Sequence, residues 1–104
     1  MFLHVDLDTD PPAVVLEEPD DVGRFHVAVR GGDTGRLDTA LRAMGVGALE
    51  GDHAVVDPDG LRRLAAGRVG PDWAGRFDGM VAYARAKGFV GADGQAIRAH
   101  LEWE

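Results

Sequence analysis

Three histidines stand where this sequence could do acid/base or metal chemistry. His4 and Asp6 lie two residues apart, as do His100 and Glu102, inside segments that alternate apolar with polar residues. In a β-strand, residues two apart share a face, so each imidazole shares its face with a carboxylate. His26 holds the same kind of position in a third alternating segment. If those strands are neighbours, the groups converge as an acid/base pair or as nitrogen and oxygen ligands for a divalent metal. The candidate catalytic residues are therefore His4, Asp6, His26, His100 and Glu102. No H-E-x-x-H spacing is present, so no metal-ligand set is assigned. The competing expectation is that these imidazoles are exposed on a polar sheet face. His53 falls in a turn region and receives no role.

The acidic N-terminus offers a second constellation. Counted from Asp6 as the first loop position, Asp8, Asp10 and Glu17 fall at the third, fifth and twelfth positions of a calcium-binding EF-hand loop. The sixth position needs a glycine in a left-handed turn, and it is occupied by Pro11, whose ring excludes that turn. Asp6-Leu7-Asp8 after an apolar strand also resembles the first motif of the haloacid-dehalogenase-type phosphatases. The resemblance covers residues 2–10 and implies a nucleophile at Asp6 and an acid/base at Asp8. It departs from the family's pattern at His4, which interrupts the apolar strand, and at Asp10, where the family has Thr or Val. The family's doubly wound core also requires more chain than this one has. A solvated acidic turn accounts for the same residues.

Positive charge collects elsewhere. Residues 61–87 contain Arg62, Arg63, Arg68, Arg76, Arg85 and Lys87 against Asp72 and Asp78. Arg62, Arg63 and Arg68 are the candidate anion-binding residues. Residues 1–22 carry seven acids and no Lys or Arg, and the whole chain has a net charge of −7. That field opposes non-specific phosphate binding, so nucleic acid is not an expected partner. The charge separation predicts that the acidic turns face arginines of this chain or of a second copy.

The residue inventory excludes more chemistry. There is no Cys, Ser or Asn, and only one Lys. Serine and cysteine nucleophiles, thiolate metal sites and disulfide-linked partners are therefore absent. Lys87 lies outside any Walker A sequence. No apolar run approaches the roughly 18 residues of a membrane span, and residues 1–8 do not read as a signal peptide. A cytoplasmic location is expected, with no cofactor implied.

The elements that must position these groups follow from periodicity. Residues 2–7 and 24–30 alternate as strands, residues 13–18 form a short strand between them, and the three read as a three-strand meander. Leu37, Ala40, Leu41 and Met44 form the apolar stripe of a helix that Asp33 or Thr34 caps and Gly45 ends. Gly51-Asp52 turns a hairpin within residues 46–57, and Asp57-Pro58-Asp59 opens a short helix ending at Gly67. Residues 71–87 form the longest helix, with Trp73, Phe77, Met80, Val81 and Ala84 inward. Its opposite side holds Gly75, Gly79, Ala82 and Ala86, a small-residue stripe on which another helix could dock. Residues 96–103 alternate as a last strand. The expected fold is one α+β domain, residues 1–104, with an antiparallel sheet and about three helices. The expected function is a non-catalytic accessory or interaction protein that forms homo-oligomers. The alternative is a small acid/base or metal-dependent enzyme working on the sheet face.

Overall fold

The expected alternation builds the first strand. Leu3 and Val5 are fully buried while Phe2, His4 and Asp6 face the other way, giving β1 (Phe2–Asp6). The computed structural model describes residues 1–104, an α+β domain. In chain order β2 (Ala13–Glu17), β3 (His26–Arg30), α1 (Thr34–Ala43), β4 (Gly47–Glu50) and β5 (His53–Val56) follow, then α2 (Pro58–Ala65), α3 (Trp73–Ala86) and β6 (Ile97–Trp103).

Helix ends match the capping chemistry. Asp33 accepts a hydrogen bond from the Arg36 amide at 2.8 Å, and Asp57 accepts one from the Asp59 amide at 3.0 Å. Gly45, just past α1, takes the left-handed conformation with φ 67°. Helix α1 stops one residue before Met44, which is the C-cap and half exposed instead of joining the core stripe. Helix α3 begins at Trp73, two residues later than Pro71 suggests. Asp38 ties α1 to β4 by accepting the Leu49 amide at 2.8 Å, and that bond holds its carboxyl below the usual range.

The six strands form one sheet in the order β2-β1-β3-β6-β5-β4. The expected antiparallel sheet is corrected to a mixed one: β1 pairs with β3 in parallel, and β3 with β6 in parallel, while the other three pairings are antiparallel. The expected meander fails at β3, which lies beyond β1 instead of beside β2. Burial supplies the reason. Val27, Ala28 and Val29 are buried, which suits an interior strand, whereas β2 exposes Ala13 and Val15 and belongs at an edge. The connection 18–25 is anchored outside the sheet, where Trp73 Nε1 donates to the Pro19 carbonyl at 2.6 Å and Arg76 to the Asp20 carbonyl at 3.0 Å.

All three helices pack on the same side. Leu37 and Leu41 of α1, Leu61 and Ala65 of α2, and Trp73, Phe77 and Val81 of α3 join one core with Leu3, Val5, Val27, Val29, Val56 and Ile97. The opposite face of the sheet carries no helix. No helix is long and apolar enough to cross a membrane.

Candidate functional site

The bare face gathers every histidine in the chain. Strand register aligns Glu17 with Phe2 and Phe2 with His26 on one half of the sheet. On the other half it aligns His100 with His53 and His53 with Glu50. The two halves meet where the His26 and His100 rings stack with centroids 5.6 Å apart, and Phe2 stacks on His26 at 4.9 Å. One row of side chains thus crosses all six strands, with histidines in the middle and a glutamate at each edge.

Carboxylates bracket the imidazoles. Glu102 presents one oxygen to His26 Nε2 at 3.2 Å and the other to His100 Nε2 at 3.1 Å. His4 Nε2 lies 3.2 Å from both carboxylate oxygens of Glu104. His53 Nδ1 lies 2.8 Å from Asp52 Oδ1. Of the candidate catalytic residues, the fold brings His26, His100 and Glu102 into one cluster. His4 sits beside it with its own partner. Asp6 stands apart: it accepts the Asp8 amide at 3.0 Å, and its carbonyl accepts the Thr9 hydroxyl at 3.2 Å. The sequence pattern missed His53 and Glu104. His53 opens β5 rather than sitting in the turn, and it meets His100 through the non-local antiparallel pairing of β5 with β6, for which the sequence carries no local signal.

The acidic loop does not close on a cation. Asp8 pairs with Arg30 at 3.6 Å, and no group of three or more His, Asp or Glu side chains is arranged to hold a metal ion. The phosphatase-like roles for Asp6 and Asp8 also lose their setting, because helices cover only one face of this sheet. The acidic turns meet arginines of their own chain, Arg30 at Asp8 and Arg76 at Asp20, while Arg68 donates to the Leu16 carbonyl within β2 at 2.6 Å.

The candidate anion-binding arginines are engaged by other groups of the chain. Arg62 bridges Asp59 at 2.6 Å and Asp78 at 2.8 Å, and Asp78 raises its pKa above the ordinary value, with burial opposing and Asp59 adding. Arg63 donates to the Gly45 carbonyl at 2.8 Å. Arg62, Arg63 and Arg68 are therefore structural ties between α2, α3, the α1 terminus and β2. The stripe of Gly75, Gly79, Ala82 and Ala86 is exposed, and a methyl group added at either glycine would meet nothing within 4 Å. Gly75→Ala with Gly79→Ala is expected to raise stability by about 2 kcal/mol in total, since each helical glycine costs about 1 kcal/mol relative to alanine. Thermal unfolding checks the gain, and a loss of stability would show that a partner backbone occupies the stripe.

Two concave regions exist, and neither is lined by a histidine or by Glu102. One lies at the start of α1 beside Asp33 and Arg36, whose guanidinium already donates to the Leu7 carbonyl at 2.6 Å. The other is an apolar cleft of about 400 Å³ at the end of the sheet where β3 and β6 begin, under the C-terminal half of α3. The architecture is thus a mixed six-stranded sheet with helices on one side and a histidine–carboxylate row on the other. No protein-family model, curated protein or solved structure matches the chain.

Proposed function

We propose that this is a small, non-catalytic interaction protein that self-associates through the bare face of its sheet. One observation carries the reading: every histidine lies on that open face, paired with exposed carboxylates and outside both concave regions. Catalytic groups ordinarily converge in a cleft that excludes water, whereas a broad face is the geometry of a contact surface.

The charges of the face give the association a pH dependence. Asp6 on β1, Glu17 on β2, Glu50 on β4, and Glu102 and Glu104 at the end of β6 share it with Arg30 on β3 and Arg98 on β6. Asp52, in the hairpin turn, adds a carboxylate beside His53. With neutral imidazoles the face is negative, so two copies repel in a two-fold, face-to-face contact. Histidine ordinarily gains its proton between about pH 8 and pH 5. Four imidazolium groups offset the carboxylates, and each can pair across the two-fold axis.

Sedimentation velocity tests this. The dimer is expected to tighten at least about tenfold between roughly pH 8 and pH 6. The His26→Gln/His100→Gln variant is expected to flatten that dependence. A monomer at both pH values, or an unchanged profile in the variant, would overturn the reading. The Glu102 bridge between two imidazoles favours a second reading, acid/base catalysis at His26 and His100. Turnover of a small activated ester that the same double variant loses would support it over association.

A further inference from the structure

The cleft at the start of β3 and β6 has a lining that, Arg98 apart, the sheet-face reading does not use. Phe25, Met80, Tyr83 and Phe89 form apolar walls, and its only charged lining residues are Arg24 and Arg98. Tyr83 and Phe89 are exposed despite their size, the former by 62%. In a chain with 18 acids against 11 bases, no carboxylate lines this concavity.

The two arginines differ from the rest. Arg30, Arg42, Arg62 and Arg76 pair with carboxylates, and Arg36, Arg63, Arg68 and Arg85 donate to backbone carbonyls. Arg24 has neither kind of partner. Arg98 has only the Phe89 ring, 5.8 Å from its guanidinium carbon. The ten arginines thus divide into eight that tie the fold together and two that do not, and those two line the same apolar cleft. Lys87 adds a third cation at the rim, 5.7 Å from the Tyr83 ring centroid. Guanidinium groups recognise carboxylates through charge-assisted, often bidentate hydrogen bonds. An apolar cavity of this volume suits a small organic ligand.

We propose that this cleft binds a small amphipathic carboxylate, its apolar body against Phe25, Met80 and Phe89 and its carboxylate held by Arg24 and Arg98. No histidine lines the site, and Arg98 is the one residue it shares with the charged sheet face.

Octanoate is the probe, followed by amide chemical-shift mapping and calorimetry on the full chain. Saturable shifts are expected at Phe25, Tyr83 and Phe89. Arg24→Gln and Arg98→Gln are each expected to weaken binding about tenfold, the loss of a hydrogen bond to a charged group. Octanol, with the same body and no charge, is expected to bind at least about tenfold more weakly. Ala84→Phe, which fills the cleft and leaves both arginines in the sequence, is expected to abolish binding in a folded protein. Three results would each overturn the proposal: no saturation at about 10 mM octanoate, octanol binding as tightly as octanoate, or shifts that map outside the cleft. Dispersed amide spectra of each variant separate loss of the site from loss of the fold.

Discussion

Phe77→Ala is expected to remove about 3–5 kcal/mol of folding stability, the usual range for truncating a buried phenylalanine. A domain of this size has only about 5–15 kcal/mol in total, so the variant should be marginally folded. Full burial and two contacts place the loss at the upper end. Phe77 has no exposed surface and stacks on Trp73 with ring centroids 4.6 Å apart. Its ring also lies under the Arg62 guanidinium, 5.1 Å from the centroid. Arg62 is in turn held by Asp59 and Asp78, so Phe77 sits where α2 and α3 lock together. Truncation leaves a void in the core and takes away the surface on which Arg62 rests. Urea unfolding should show a lower midpoint at unchanged slope. A loss below about 2 kcal/mol would mean that α3 closes the void by moving inward.

That locking bears on the anion-binding expectation for Arg62, Arg63 and Arg68, because each guanidinium already has a partner within the chain. Charge runs and helix position are visible in a sequence, but the partner of each guanidinium is set by tertiary contacts, many between residues far apart in the chain. Leu16 and Arg68 are one such pair, Asp20 and Arg76 another. The same blindness hid Arg24 and Arg98: a lone arginine in a short segment carries no signal until the other eight are seen to be occupied.

Local chemistry was legible. Caps at Asp33 and Asp57, the Gly51-Asp52 turn and the inward stripe of α3 depend on residues within one or two helical turns of each other. The facing of His4, His26 and His100 was legible too, because alternation fixes which side of a strand a residue takes. Whether those strands were neighbours was not, since register and strand order are non-local. The parallel neighbours of β3 arise because residues 18–25 leave the sheet to pack against α3, an arrangement that alternation cannot encode. His53 joined the row for the same reason, through antiparallel pairing of β5 with β6.

Gly47→Ala is expected to cost about 3 kcal/mol, at or above the upper end of ordinary overpacking. Gly47 begins β4, opposite Val56 on the neighbouring strand. A methyl group there would overlap the Val55 carbonyl oxygen and stand 3.2 Å from Val56 Cα. Both obstacles are backbone, so no rotamer change relieves them. The same substitution at Gly75 or Gly79 meets open solvent and is expected to stabilise, so composition alone cannot give the sign for a glycine. Because β4 is an edge strand, the cheapest relief is to peel it from β5. That route strains the bond from the Leu49 amide to Asp38, which fastens β4 to α1. Hydrogen exchange distinguishes the outcomes. Peeling predicts faster exchange at Leu49 and along β5, with β1 and β3 protected to the global limit. It also predicts displacement of Glu50 from one end of the histidine row, so dimer formation near pH 6 should weaken along with stability. Uniform loss of protection would instead mean that the hairpin and the central strands unfold as one unit.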